Sequence, residues 1–143
     1  MFLPTVAVAD DAEDAKAAML NHYAKRNAGD AAAYVQLHSP NRSNFGGAGQ
    51  LLNRSDSLED LENQKNNLQA QLDAGVKFNV QLRHPEVEVY GNVAVVTGYT
   101  VGTITSPDGT ARPIANRRTV VLIKQGGQWK IAHRHLSPVR LPQ

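Results

Sequence analysis

Apolar positions along the chain follow two different periods. Up to about residue 75, apolar residues recur every three to four positions, which is the spacing of one face of an α-helix. From Val76 onward they alternate with polar residues, which is typical of β-strands. The sequence therefore predicts helices in the first half of the chain and a sheet in the second half.

Two helices are predicted before residue 40. The first covers residues 12–28, because an aspartate stands before it, a glycine follows it, and Met19 and Tyr23 belong to an apolar face that is expected to pack inward. The second covers residues 31–37, with Asp30 in the capping position. It ends before the next proline, because the residue before a proline is disfavoured in a helix.

A third helix is predicted after a segment without regular structure. Residues 41–50 are expected to form a loop or an irregular strand, because their three glycines oppose a regular element. Asp56 and Glu59 have the spacing of a capping box, and leucines at helical spacing then continue until Gly75. The sequence therefore predicts the third helix between about residues 56 and 75.

Four strands account for the rest of the chain. They are predicted at residues 77–90, 93–105, 111–124 and 129–137, separated by short turns rich in glycine. Such connections force an antiparallel meander, and a bend near Pro85 makes the sheet curl. The sequence thus predicts an α+β fold without parallel units: a curved four-stranded antiparallel sheet, wrapped over three N-terminal helices, that encloses an internal pocket.

Residues 10–143 have the length of a single domain, and the nine residues before them are interpreted separately. Residues 1–9 are apolar and end in an Ala-x-Ala-like pattern, but no basic residue precedes the short apolar stretch. A flexible N-terminal arm is therefore favoured over the remnant of a secretion signal. On this basis a cytoplasmic protein is favoured, and an exported protein is the alternative.

The composition narrows the classes of function. The 143 residues include no cysteine, which excludes disulfides, thiolate metal sites and cysteine catalysis. The formal net charge is +2, and the basic residues of the last third alternate between strand faces instead of forming one stripe. Nucleic acid is therefore not an expected partner. No membrane partner is expected either, because no apolar run approaches the ~20 residues that span a bilayer.

The last predicted strand carries a graded pattern. Alternation places Trp129, Ile131, His133, His135 and Ser137 on one face, which begins apolar and ends polar. We expect this face to run from the packed core to the pocket. His133 and His135 are then candidate catalytic residues, because imidazole titrates near neutral pH. Histidines that only form structural hydrogen bonds are the alternative.

The neighbouring strand shows the same gradient. Arg117, Thr119 and Val121 share one parity, and we expect that parity to face inward. Adjacent residues of a strand point to opposite faces, so Arg118 would then face outward. An inward guanidinium is costly unless it is paired or binds an anion. Arg117 and Thr119 are therefore candidate ligand-binding residues.

Three further residues complete the candidate site. Tyr23 and Tyr99 are candidate ligand-binding residues, since buried hydroxyls need the polar partners that a pocket supplies, and His38 is a third. A zinc site would need another protein ligand beside His133 and His135, and none is placed for it, so no metal or other cofactor is expected. No pair of carboxylates faces the presumed pocket, which weakens carboxylate acid–base chemistry.

The order of these elements resembles a known family. Over about residues 10–140 the chain is similar to the SnoaL-like branch of the nuclear transport factor 2-like (cystatin-like cone) superfamily. The similarity is carried by NAGD (27–30), GNVAVVTG (91–98), the Arg117-x-Thr119 pattern and GQWKIAHRHLS (127–137). The last segment is also similar to the association domain of calcium/calmodulin-dependent protein kinase II. The resemblance implies a cone with a pocket between sheet and helices, and a homodimer formed through the outer sheet face.

The resemblance does not fix an activity, because the superfamily includes isomerases, cyclases, dehydratases, epoxide hydrolases and non-catalytic modules. Tyr23 matches the tyrosine of the steroid-isomerase-like members in type, but no strand aspartate matches their base. The Asp-Arg-Asp set of the epoxide hydrolases is also missing. The favoured hypothesis is a protein that binds a small polar or anionic molecule. The alternatives are a non-catalytic homo-oligomerisation module and an isomerase- or polyketide-cyclase-like enzyme that uses histidine as acid or base.

Overall fold

The computed structural model of the protein describes residues 10–46 and 49–140, so the predicted N-terminal arm lies outside the described residues. The helices are α1 (Asp11–Asn27), α2 (Ala31–Gln36) and α3 (Leu58–Asp73). The strands are β1 (His38–Phe45), β2 (Asn53–Ser55), β3 (Lys77–Tyr90), β4 (Val93–Thr105), β5 (Ala111–Gln125) and β6 (Gln128–Pro138). Within the described ranges, no helix is long and apolar enough to cross a membrane.

Each helix begins at a side chain that accepts a hydrogen bond from the backbone of the first turn. Asp10 caps α1 and Asp30 caps α2, as predicted. The cap of α3 is Ser57 instead of the predicted Asp56. The Ser57 hydroxyl accepts from the backbone N–H of Asp60 and donates to the Asp60 carboxylate. The reciprocal pair therefore starts one residue later, because Ser57 adopts the extended conformation that a capping residue needs.

The sheet has six strands in the order β2-β1-β6-β5-β4-β3, so the predicted count of four is wrong. The antiparallel meander from β3 to β6 is as predicted. Strand β1 adds to the free edge of β6 in parallel, and β2 adds to β1 in antiparallel orientation. Residues 41–50 show no clear alternation in the sequence. Residues 41–45 nevertheless belong to a strand, because residues 43–45 pair with β6, which is distant in the sequence.

The sheet is curved and open, and α1 packs against its inner face. The register of β3 shifts between Arg83 and Glu86, where His84 has a φ of 51°, and this irregularity is the predicted bend. The end of α1 is fixed to β3 by Asn27. Its side-chain amide donates to the Val80 carbonyl (2.8 Å) and accepts from the Val80 N–H (3.1 Å).

Two apolar clusters hold these layers together. The main core joins α1 to the inner face of the sheet through Ala15, Met19, Tyr23, Val80, Leu82, Ala94, Val96, Val120, Leu122, Trp129 and Ile131. Each large aliphatic side chain buried here stabilises the fold by about 1.5–3 kcal/mol. A smaller cluster joins α2 to α3 through Ala31, Tyr34, Val35 and Leu68. Because α3 packs mainly on α2, a polar cleft remains between α3 and the β1–β2 edge of the sheet.

Candidate functional site

Two arginines project from the inner face of the sheet. Arg118 on β5 is buried, with 6% of its surface exposed, and its guanidinium lies 5.1 Å from the centre of the Tyr23 ring. Arg134 on β6 pairs directly with Val120, which is a core residue. Directly paired residues share a face of the sheet, so Arg134 faces inward as well.

The predicted inward orientation of Arg117 is wrong. Arg117 is exposed, and its Nε donates to the Ser137 hydroxyl (3.1 Å) on the outer face of the sheet. Thr119 is exposed on the same face. The cause lies in residues 120–123, which are apolar at all four positions. Alternation therefore did not determine which parity is buried, and Val120 and Leu122 are the core residues.

A β-bulge in β6 explains why His133 and His135 face outward and not inward as predicted. Leu122 pairs with Ile131 and Val121 pairs with His133, so Ala132 has no partner on β5. This extra residue reverses the alternation along β6. Trp129 and Ile131 face inward as predicted, whereas His133 and His135 turn to the outer face. A pattern of alternating polarity does not reveal a bulge, which is why the histidines were predicted to face inward.

Five of the predicted site residues share the outer face with Phe45. His133 and His135 pack beside the Phe45 ring, with ring centres 5.9 and 5.2 Å away. Thr119 pairs with His135 on one side of β5, and Tyr99, which is 46% exposed, pairs with Arg117 on the other. The structure thus brings these residues together, but outside the hollow of the sheet. This outer-face patch consists of Phe45, Tyr99, Arg117, Thr119, His133 and His135.

Tyr23 and His38 are the predicted candidates that face inward, and they stand beside His22 and Tyr34, which the sequence did not single out. The ring centre of His22 lies 4.5 Å from that of Tyr34 and 5.0 Å from that of His38. His38 Nδ1 donates to the Tyr34 carbonyl (3.1 Å), so its Nε2 is an acceptor. Within the described ranges, His38 Nε2 and both ring nitrogens of His22 lack a partner.

These two imidazoles are neutral. Burial lowers the pKa of His22 well below its usual value of 6.5. Repulsion from His38, were it protonated, and from Arg118 acts in the same direction. Burial, followed by the charge of Arg134, likewise lowers the pKa of His38 well below 6.5. The interior therefore holds two uncharged imidazoles that can each offer an unprotonated nitrogen to a donor.

Two further arginines approach the same region from other elements. Arg26 on α1 lies over the Phe78 ring, 4.8 Å from its centre. Arg42 on β1 is half-buried and donates through Nη2 to the Gln64 side chain. Helical spacing after Tyr23 was a signal that could have identified Arg26. Arg42 lies in the segment without regular alternation, so no comparable signal existed.

None of these four guanidiniums is paired with a carboxylate. Among the described residues, ion pairs within 4.0 Å are formed only by Lys65 with Glu62 and by Lys124 with Asp11. Burial lowers the pKa of Arg118 to about 10, which leaves it charged at neutral pH. Several buried guanidinium nitrogens also lack any partner in the described ranges. We call this set the arginine cluster: Arg26, Arg42, Arg118 and Arg134.

The tyrosines beside the cluster respond to its positive potential. Burial opposes ionisation of Tyr34, but the charges of Arg134 and Arg26, together with a hydrogen bond from Arg134, outweigh burial and lower the pKa of Tyr34. At Tyr23 burial is the stronger effect and raises the pKa to about 12, although Arg118 and Arg26 oppose it. A buried phenol with a lowered pKa indicates an environment that favours negative charge.

Three members of the arginine cluster, Arg26, Arg42 and Arg134, line two adjacent cavities. One, of about 370 Å³, lies between α3 and the β1–β2 edge; its walls include Arg42, Arg54 and Arg134. The other, of about 250 Å³, is lined by Arg26, Tyr34 and Phe78 among others. Arg134, Gln64 and Asn67 line both. We call the two cavities together the α3 cleft. Among the described residues, no group of three or more His, Asp or Glu side chains could hold a metal ion.

Comparison with known proteins gives a family match and a consistent fold. A family model described as a SnoaL-like domain matches residues 15–141. No curated protein matches the chain.

Three solved structures illustrate the fold. A ketosteroid isomerase-like protein from Erwinia carotovora atroseptica is 20% identical with a TM-score of 0.72, and the alignment covers 94% of this chain and 100% of that one. The CaMKII hub of S. rosetta is 22% identical with a TM-score of 0.70, covering 93% and 100%. An uncharacterized protein with a cystatin-like fold from Caulobacter vibrioides is 18% identical with a TM-score of 0.68, covering 92% of each chain. At these identities the likeness establishes the fold, a cystatin-like cone.

Proposed function

The chain belongs to the SnoaL-like domain family, and on that premise we propose that it binds a small anionic molecule in the α3 cleft. The observation that carries this proposal is the arginine cluster, in which four guanidiniums face the interior or the cleft without a carboxylate partner among the described residues. Tyr23 and His38, the inward-facing residues of the predicted site, stand beside this cluster.

Unpaired buried charge needs a compensating interaction. A guanidinium that leaves water loses favourable hydration, and a bound anion restores it through charge-assisted hydrogen bonds. The planar guanidinium group also matches a carboxylate or a phosphate in geometry. An anion is therefore the ligand whose binding relieves the most unfavourable feature of the free protein.

Arg134 is the central residue of this proposal because it lines both cavities. Its Nε donates to the Asn44 side chain (2.9 Å), and its Nη1 donates to the Tyr34 hydroxyl (3.4 Å). These bonds hold the side chain in place, and Nη2, which donates to no described residue, can bind a ligand. A donor held in this way loses less conformational entropy when the ligand arrives.

The test is thermal unfolding in the presence of phosphate, acetate or citrate, with chloride at the same ionic strength as reference. We expect at least one of the three anions to raise Tm, because a ligand that binds only the folded state stabilises it by mass action. Arg134→Gln should abolish the shift. The matched control is Arg117→Gln, which removes an exposed arginine from the opposite face and should keep the shift. Equal responses in the two variants, or no response in the wild type, would contradict the proposal.

Homo-oligomerisation through the outer face of the sheet is a second candidate function. Exposed large side chains gather on this face, including Phe45, Tyr90, Val93 and Tyr99. A second copy of the chain would cover these apolar groups, and the CaMKII hub and association domains among the similar structures favour such an assembly. Because this face lies opposite the α3 cleft, oligomerisation and anion binding are compatible.

An enzymatic function would need acid–base residues other than the predicted His133 and His135. In the outer-face patch, His133 and His135 are separated from the arginine cluster by the sheet. An isomerase- or cyclase-like reaction in the interior would therefore use His22 or His38 as acid or base, since both are neutral and border the arginines. This alternative predicts turnover that depends on His38 and not on His135.

A further inference from the structure

We infer that the ligand of the α3 cleft carries several hydroxyl groups beside its anionic group, as a sugar phosphate or a sugar acid does. The inference rests on the proposed anion site and specifies the chemistry of the rest of the ligand. It follows from the walls of the larger cavity.

Among the described residues, every one that lines the larger cavity has a polar side chain. Besides the arginines, five of these residues are carboxamides: Asn44, Asn53, Asn63, Gln64 and Asn67. A carboxamide donates and accepts, and a hydroxyl group can satisfy both roles. An apolar ligand body would instead displace water from these groups without replacing its hydrogen bonds, which costs about 1–3 kcal/mol for each group left unpaired.

The carboxamides fall into two groups with different roles. The oxygens of Asn44 and Gln64 accept hydrogen bonds from Arg134 and Arg42, so they hold the arginines in position. Their NH₂ groups make no hydrogen bond to a described residue and can act as donors. The side chains of the other three carboxamides make no hydrogen bond within the described part of the chain, so both their donors and their acceptors are available: Asn53, Asn63 and Asn67.

The charge distribution of the cleft indicates where the hydroxyl groups lie. In the part of the chain that the structure describes, Asp60 is the one carboxylate in the wall of the larger cavity. It accepts hydrogen bonds from the Ser57 hydroxyl and the Asp56 N–H. It repels a second anionic group and can accept from a hydroxyl. The ligand that fits is therefore charged where it meets Arg134 and neutral but hydroxylated near Asp60.

Isothermal titration calorimetry with matched ligands tests this inference. The probes are phosphate, glucose 6-phosphate, butyrate, gluconate and glucose. We expect glucose 6-phosphate to bind at least tenfold more tightly than phosphate, or gluconate at least tenfold more tightly than butyrate, while neutral glucose does not bind. If the increase in affinity occurs in the phosphate pair, the anionic group is a phosphate. If it occurs in the carboxylate pair, the anionic group is a carboxylate.

Neighbouring asparagines on α3 provide a matched pair of variants. Both side chains are exposed, but Asn67 lines both cavities and Asn66 lines neither. Asn67→Leu should remove most of the additional affinity that the hydroxyl groups provide. The affinity for the simple anion should stay within about twofold of the wild-type value. Asn66→Leu should change neither.

The failures of the two proposals are distinguishable. If neither phosphate nor any carboxylate binds, the anion site itself is wrong. If phosphate and butyrate bind as tightly as their hydroxylated counterparts, within threefold, the anion site stands and the hydroxylated ligand is overturned. Equal effects of Asn67→Leu and Asn66→Leu would also overturn it.

Discussion

Arg118 and Arg134 lie on the same inner face of adjacent strands, and no carboxylate pairs with either of them in the described ranges. After burial and an opposing contribution from Tyr23, the charge of Arg134 is among the causes that lower the pKa of Arg118. The Arg134 guanidinium therefore disfavours the charged form of Arg118. Such an arrangement destabilises the free protein and suits a bound anion.

Replacing the deeper arginine should stabilise the protein without its ligand. We expect Arg118→Met to raise the free energy of unfolding by about 1–4 kcal/mol, because a well-packed apolar side chain avoids the cost of a buried unpaired charge. Urea denaturation in chloride buffer measures the change. Arg117→Met, at the exposed neighbouring position, should change stability by less than about 0.5 kcal/mol. A less stable Arg118→Met protein would show that Arg118 is compensated within the chain.

Stability should decline as the pH falls below about 6.5, the usual pKa of histidine in an unfolded chain. The folded-state pKa values of His22 and His38 are lowered, first by burial and then by His38 or Arg134, so between those values and 6.5 the unfolded chain binds more protons. The contribution of these two histidines to the free energy of unfolding is complete above pH 6.5. Below pH 6.5, each histidine loses about 1 kcal/mol of this contribution per pH unit.

Urea denaturation at pH 7.5, 6.5 and 5.5 measures this dependence. His22→Phe, which keeps the aromatic contact with Tyr34, should reduce the slope below pH 6.5. His84→Gln, at an exposed position, serves as the control and should leave the slope as it is. An unchanged slope in both variants would assign the pH dependence to other groups.

Gly102 should tolerate no side chain. Its φ is 142°, and an added Cβ would overlap the carbonyl oxygen of Asn79 on β3. We expect Gly102→Ala to lower the free energy of unfolding by about 3 kcal/mol or more, because both the backbone conformation and the strand spacing oppose it. Gly109→Ala, whose φ is also positive but whose Cβ would meet open space, should cost only about 1 kcal/mol. Equal losses in thermal or urea unfolding would contradict this explanation.

Self-association should depend on the outer-face patch. Thr119 lies near its centre, paired with Thr97 on one side and His135 on the other. If a second copy of the chain covers this face, Thr119→Arg should convert the oligomer to a monomer in size-exclusion chromatography with light scattering, because it places a new charge in the interface. Thr110→Arg, in an exposed turn, should keep the wild-type mass. A monomeric wild-type protein would refute this assembly.

Local signals in the sequence were sufficient for the helices and the meander. Side-chain caps, turn glycines and the bend in β3 all act over a few residues, and each can be identified without knowledge of the rest of the fold. The six-stranded sheet was not predictable in this way. The strand state of β1 depends on β6, about 90 residues further along the chain, and its own residues show no strand periodicity.

The prediction of which way the site residues face was wrong for two physical reasons. Residues 120–123 are apolar on both faces, so the burial of Arg118 instead of Arg117 is decided by packing on α1 and not by alternation. At Ala132 the bulge then exchanges the faces of the following residues. The predicted candidates Tyr23 and His38 do face inward, but the arginines beside them are Arg118 and Arg134 and not Arg117. That these residues bind a ligand stays a prediction.

The parallel pairing of β1 with β6 has a consequence for folding. Closing a loop of about 90 residues is slow compared with forming the hairpins between β3 and β6, so we expect this edge to dock last. The walls of the larger cavity of the α3 cleft come from α3, β1, β2 and β6, and they meet only after that step. A chain that is still emerging from the ribosome and lacks β6 would have no place to hold the anion. The protein would therefore bind its ligand only after the whole sheet has formed.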